Sequence, residues 1–123
     1  MSAESRVFVV DDDVASAASM SALMKSEGLK TETYDSAEAF LDAYDGRPNA
    51  CLVVDVRLPC MNGLELQQAL NERGHKISIV MISGHADREV IDRALENGAV
   101  AFLEKPFPAN DLCKSFRAAL SRN

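Results

Sequence analysis

Six side chains stand out by type and by placement in this 123-residue sequence. Asp11, Asp12 and Asp13 follow one short apolar run, Asp55 ends a second, Ser83 ends a third and Lys105 follows a fourth. Carboxylates brought to one point repel one another. They stay ionised at neutral pH only with a cation among them; otherwise one takes up a proton. Carboxylate oxygens suit a hard cation, and Mg²⁺ takes one or two carboxylates, several waters and a phosphate oxygen. A lysine opposite supplies fixed positive charge, and a serine supplies a hydroxyl donor. Together these groups would suit a phosphoryl group. Asp55 stands alone at its strand end, so it is the best-placed nucleophile, attacking phosphorus to become an aspartyl phosphate.

Each residue also has an ordinary role. Acids favour helix starts through capping and the helix dipole, and Asp13 is the one nearest to a pure cap. A lone serine is commonly a turn residue and a lone lysine a solvated one. Four such coincidences at four strand ends weigh against chance. The remaining reactive side chains carry less. His75, beside Gly74, reads as a solvated turn residue, and His85 as a loop residue near the site. Cys60 follows Pro59 in a loop with no obvious activator of its thiol.

The elements that must position these residues alternate regularly. Val7–Val10, Cys51–Val54 and Ile77–Ile82 are valine- and isoleucine-rich runs ended by polar residues, which suits buried strands. Lys30–Tyr34 and Val100–Leu103 read as more polar edge strands. Helical spacing covers Val14–Glu27, the stretch after the N-cap Ser36, Leu64–Glu72, Asp87–Asn97 and Asp111–Leu120, with Gly28, Gly46, Gly74 and Gly98 as terminators. Five strand–helix repeats predict a doubly wound α/β domain with right-handed crossovers. The expected architecture is a five-stranded parallel sheet, flavodoxin-like (βα)5, in strand order 2-1-3-4-5, filling residues 1–123 as one domain. Ligands bind beyond the carboxyl ends of such strands, where the order reverses. All six residues fall there.

Composition narrows the function. Nineteen acidic residues face 13 basic ones, a formal charge of −6, and 47% of residues are apolar. An acidic domain repels polyphosphate, so direct nucleic-acid binding is not expected. No apolar run approaches the roughly 20 residues that span a bilayer, so no membrane association is expected. The polar N-terminus is followed by an apolar run too short for a signal peptide. Three cysteines without a CxxC pattern fit a reduced, cytoplasmic setting and exclude zinc fingers and disulfide scaffolds.

The segments VFVVDDD, LVVDVRLPCMNG, IVMISGHAD and AFLEKPF, in that order and spacing, resemble the receiver domain of bacterial two-component response regulators from Val7 to Leu120. The SGHAD and EKPF wording, with Arg57 after Asp55, resembles the FixJ-type subgroup. The resemblance implies that Asp55 is the phosphoacceptor, charged by a sensor histidine kinase or a small phosphodonor in a Mg²⁺-dependent reaction in which Mn²⁺ can substitute. It implies metal binding by Asp11, Asp12 and Asp55, with Asp12 favoured as the direct ligand over Asp11, and by the backbone carbonyl of Arg57. Ser83 is then the switch hydroxyl, standing for the commoner threonine, and Lys105 the phosphoryl partner. Phe102 takes the aromatic switch position, and the Lys105–Pro106 bond is expected to be cis. The implied role is a signalling domain, not an enzyme acting on an external substrate.

Phosphorylation would draw Ser83 and Lys105 to the new oxygens, move the loop Gly84–Asp87 and let Phe102 fill the vacated space. The surface of the fourth helix, fifth strand and fifth helix would then change and support a homodimer. In the subgroup a LuxR-type helix-turn-helix usually follows. No output domain is expected within residues 1–123, and the reading preferred is an excised receiver, with a stand-alone one as the alternative. Three rival classes have sequence tests. A haloacid-dehalogenase-type phosphohydrolase also carries D-x-D, here Asp11-x-Asp13, but leaves Asp55 unexplained and lacks a later acidic pair. A flavin binder needs a Ser/Thr/Gly-rich loop where three acids stand. A never-phosphorylated interaction module would not need the acid–serine–lysine set.

Overall fold

The computed structural model describes residues 5–46, 49–85 and 87–121. Met1 to Glu4, at the polar N-terminus, and Ala86, in the loop after Ser83, lie outside the described residues. The strands are β1 (Arg6–Val10), β2 (Lys30–Tyr34), β3 (Ala50–Asp55), β4 (Ser78–Ser83) and β5 (Ala101–Glu104). The helices are α1 (Val14–Ser26), α2 (Ala37–Ala43), α3 (Gly63–Glu72), α4 (Arg88–Glu96) and α5 (Ala109–Ser121). All strand pairs are parallel, in the order β2-β1-β3-β4-β5 expected from the sequence.

Burial explains why that order holds. Every residue of β3 is buried, whereas β2 exposes Lys30, Glu32 and Thr33, so β3 is central and β2 closes an edge. Side chains alternate across the sheet with period two. Val7 and Val9 of β1 face a cluster with Met20 and Met24 of α1 and Phe116 of α5. Phe8 and Val10 face the opposite cluster, with Phe40 of α2, Leu66 and Leu70 of α3 and Ala94 of α4. Helices therefore cover both faces, and the sheet's polar ends are left for chemistry.

Element ends differ from the sequence reading by one to two residues. Asp87 caps α4, its side chain accepting from Val90 N at 3.0 Å, so the helix proper begins at Arg88. The last helix starts at Ala109, directly after Pro108, two residues before Asp111. His75 departs more clearly from the solvated turn residue expected. It is half-buried, its ring edge-on to Tyr44 at 5.0 Å, and a Cβ at Gly46 would lie 3.3 Å from its imidazole. Tyr44 in turn stacks on Phe40 at 5.2 Å, so the imidazole extends the aromatic cluster of Phe8, Phe40 and Tyr44.

Cys51 and Cys113 are buried in the core and Cys60 is exposed; all three are free thiols. Among the described residues no helix is long and apolar enough to cross a membrane. Burial pushes the Cys51 thiol from its ordinary 9.0 up to about 12. Between those values the unfolded chain has lost the thiol proton and the folded chain keeps it, so stability falls as pH rises. Urea unfolding from pH 9 upward should show Cys51→Ala losing stability less steeply than wild type, by up to about 1.4 kcal/mol per pH unit. Parallel slopes would contradict the assignment.

Candidate functional site

The register of the sheet brings the polar strand ends together. Val10 is paired with Val54, so Asp11 and Asp55 emerge side by side where β1 and β3 end. Ile82 is paired with Asp55 and Ser83 with Glu104, which sets Ser83 and Lys105 on the neighbouring strand ends. Backbone bonds fix the loops that follow. Asp11 N donates to Tyr34 O at 3.1 Å, Val56 N to Ile82 O at 2.9 Å and Lys105 N to Ser83 O at 2.7 Å.

Asp11 and Asp55 are buried, only 2% and 7% exposed. The Lys105 ammonium joins them, 2.9 Å from Asp55 Oδ2 and 3.2 Å from Asp11 Oδ2. Each remaining carboxylate oxygen has a backbone donor: Arg57 N reaches Asp55 Oδ1 at 2.8 Å, and Asp13 N reaches Asp11 Oδ1 at 3.0 Å. Thus each oxygen of both buried acids accepts one hydrogen bond. Desolvation works to lower the Lys105 pKa, but hydrogen bonds to Asp55 and Asp11, and then their charges, outweigh it and raise it. The ammonium stays protonated throughout the neutral range.

The other sequence-selected residues take distinct positions. Asp12 is exposed beside the pair, and Asp13 is the N-cap of α1, accepting from Ala15 N and Ser16 N. Ser83 is fully buried. Its Oγ donates to His85 O at 3.0 Å and accepts from His85 N at 3.2 Å, so the hydroxyl is held within its own turn. Arg57 turns its side chain to solvent while its amide binds Asp55. Phe102 is half-buried against the α2–α3–α4 cluster. The Lys105–Pro106 peptide bond is cis.

The sequence reading gathers Asp11, Asp12 and Asp55; the structure links Asp11 and Asp55 through Lys105 and leaves Asp12 outside. Among the described residues no three His, Cys, Asp or Glu side chains are grouped to hold a metal ion. The donor set itself is all oxygen: two buried carboxylates, a third exposed on the next residue, and the loop carbonyls. By its chemistry that donor set suits a hard divalent cation.

Sequence reasoning reads Gly63, with Pro59, only as a loop marker and passes over Asn62, Glu65 and Glu38, which also fix the β3–α3 loop. At Gly63 a Cβ would meet Asp55 O at 2.8 Å and Val56 Cα at 2.9 Å, so only glycine lets α3 start against the backbone of Asp55. Asn62 and Glu65 close a capping box there, and Glu38 of α2 accepts from Met61 N at 3.2 Å. The Asn62-Gly63-x-Glu65 wording is the local signal for the cap. Nothing local signals the Glu38 contact, which spans 23 residues.

Comparisons with known proteins bear on the family and the fold. Residues 7–117 match the response regulator receiver domain. The chain is 42% identical over 119 residues to transcriptional regulatory protein TdiR of Thauera aromatica, covering 97% of this chain and 52% of TdiR. It is 41% identical over 117 residues to transcriptional regulatory protein FixJ of Azorhizobium caulinodans, covering 95% of this chain and 56% of FixJ. The crystal structure of FixJ-N superposes with a TM-score of 0.91 at 31% identity, covering 99% of this chain and 98% of that one. The chain belongs to the response regulator receiver domain family, and its relatives support the FixJ-type subgroup. It spans about half the length of the curated relatives it matches. Receiver domains are signalling domains phosphorylated by sensor histidine kinases, and in general they use Mg²⁺ at the phosphorylation site.

Without the ammonium, two buried carboxylates would face each other unpaired. Lys105→Met should therefore lose about 1–3 kcal/mol at pH 7 by urea unfolding, below the range for fully buried pairs because Lys105 is partly solvated. Adding Asp11→Asn should recover part of that loss. A double variant no more stable than Lys105→Met would show that carboxylate repulsion is not the cause.

Proposed function

We propose that this domain accepts a phosphoryl group on Asp55 from a sensor histidine kinase in a Mg²⁺-dependent reaction and thereby switches conformation to control an output. The observation that carries the reading is the Lys105 ammonium bridging Asp55 and Asp11 at 2.9 and 3.2 Å. It places a fixed cation where negative charge would build on a phosphorylated Asp55.

Asp55 is poised as a nucleophile by its two donors. The Arg57 amide holds Oδ1 and Lys105 holds Oδ2, which fixes the carboxylate plane. An oxygen of Asp55 attacks phosphorus, and the P–N bond to the donor imidazole breaks as the O–P bond forms. Asp12, Asp55 and the Arg57 carbonyl would hold Mg²⁺, with Asp11 beside them. When bound, the ion neutralises charge on the attacking carboxylate and on the phosphoryl oxygens. Lys105 then exchanges its bond to Asp55 for one to a phosphoryl oxygen. Ser83 must give up its bond to the His85 carbonyl to donate to another.

The modification replaces the single charge of the Asp55 carboxylate with the nearly doubly charged phosphoryl group, a net gain of about one negative charge, and adds new acceptor oxygens. Moving Ser83 pulls the turn that carries His85, and Phe102, half-buried on the adjoining strand, follows into the space released. A switch of this kind needs a preference of a few kcal/mol for the phosphorylated arrangement. The output is transcriptional, in line with the regulators TdiR and FixJ, and the active form is a homodimer through the surface of α4, β5 and α5.

Acetyl phosphate with Mg²⁺, followed by intact-mass measurement, should give one acid-stable, base-labile phosphoryl adduct. Asp55→Asn should give none; an adduct that persists in that variant overturns the assignment. Sedimentation with beryllofluoride and Mg²⁺ should convert monomer to dimer, and an unchanged monomer would remove the dimer from the reading.

A further inference from the structure

Helix α4 is the most lightly seated helix in the domain. Of its nine residues only Ala94 is buried, and an alanine offers little apolar area. Val90 and Ile91 are half-buried, and Arg88 and Asp92 pair on the solvent side at 3.3 Å. Beyond the packing of Ala94 and Val90 on the core, the side-chain hydrogen bonds that reach this helix from another element, among the described residues, sit at its C-terminal end. The last carbonyls of a helix have no partner within it. Here the neighbouring α3 supplies partners from two side chains one turn apart. Gln67 Nε2 donates to Ala94 O at 2.9 Å, and Asn71 Nδ2 donates to Asn97 O at 3.1 Å. Ala94 O also accepts from Ala99 N at 3.0 Å, so this carbonyl is held from two sides.

Gln67 is an unusual occupant of its site. It is 1% exposed, and its Oε1 is buried without a hydrogen-bond partner. A leucine or methionine would fill the same volume and orphan no atom. The glutamine therefore carries a desolvation cost, and the one thing it makes in return is the grip on α4. α3 is itself firmly placed, with Leu66 and Leu70 fully buried and its first residue against the backbone of Asp55. Among the described residues, the opposite end of α4 shows no side-chain tie of this kind from another element. Asp87 caps it from within its own segment, close after the turn that binds Ser83 Oγ.

We propose that Gln67 and Asn71 form a hinge clamp that fixes the C-terminal end of α4, so that movement of the Ser83–His85 turn swings the helix about Ala94 instead of sliding it along the sheet. The trigger rests on the phosphorylation reading above; the clamp does not. A pivot leaves Ala94, Asn97 and Ala99 nearly in place and gives a displacement that grows toward the N-terminal end of α4, largest at Arg88 and Glu89 and carried on to Val90, on the surface assigned to the dimer.

The test uses amide NMR and hydrogen exchange on the whole chain, with Gln67→Met as the shape-conserving variant and Asn71→Ala as an exposed one that leaves the core intact. In the unmodified protein, each variant should exchange the amides of Asn97, Gly98 and Ala99 about tenfold faster, with β3 and β4 unchanged. Wild type treated with beryllofluoride and Mg²⁺ should shift the amide signals of Arg88, Glu89 and Val90 strongly and those of Ala94, Asn97 and Ala99 weakly. In the variants the strong shifts should spread to Ala99. Equal shifts along the whole wild-type helix, or variants indistinguishable from wild type, would overturn the clamp. No beryllofluoride response anywhere, together with no phosphoryl adduct on Asp55, would refute the phosphorylation reading instead, and the exchange rates of the unmodified protein would then decide the clamp alone.

Discussion

The site depends on one ammonium group between two buried acids. Asp11 and Asp55 leave adjacent parallel strands at the same level, and both are withdrawn from water. Their mutual repulsion has to be offset locally, and Lys105 does so from the far side of the sheet's reversal point. The arrangement leaves a net negative charge, with the exposed Asp12 adding to it. A site with this balance attracts a further cation and already holds the group that would meet an incoming anion on Asp55. The contact between Lys105 and Asp55 is thus the one that any chemistry at Asp55 must rearrange.

Rigidity is distributed unevenly around that contact. β3 and β4 are buried along nearly their whole length, and α3 is pinned by its capping box, by Gly63 and by Leu66 and Leu70. Among its described residues α4 buries a single side chain, Ala94. Ser83 sits at the boundary: its backbone belongs to β4, while its hydroxyl is bonded to the His85 backbone in the turn that follows. A change of partner for that hydroxyl is therefore transmitted toward α4, because the other direction is packed solid.

The detailed geometry also bears on rival chemistries. A D-x-D phosphohydrolase would need the Asp13 carboxylate free for catalysis, yet here it caps α1 by accepting two backbone amides. A flavin phosphate would need a loop of small hydroxyl residues and glycine after β1, where three acids stand. In both cases the same feature decides. The turn after β1 is acidic, and its middle residue, Asp12, is the one left facing solvent.

Hydrophobic periodicity and turn chemistry made the strand and helix order legible in the sequence. Apolar runs such as Val7–Val10 can be buried only as central strands, and polar Lys30–Tyr34 only as an edge. The candidate site was legible for the same reason: Asp11, Asp55, Ser83 and Lys105 end runs that the topology must bring to one side. Contacts between residues remote in sequence were not legible. Lys105 lies 94 residues from Asp11, Gln67 lies 27 from Ala94, and Glu38 lies 23 from Met61. Their distances depend on how helices settle on a finished sheet, and local propensity carries no information about that. The sequence by itself determined which residues would be polar at the strand ends. Only the tertiary structure decided that Lys105 bridges two of the acids while Asp12 stays outside, and that a buried glutamine holds α4 at one end. Hydrogen-bond partners are chosen by packing at a separation of about 3 Å, a scale that residue order does not encode.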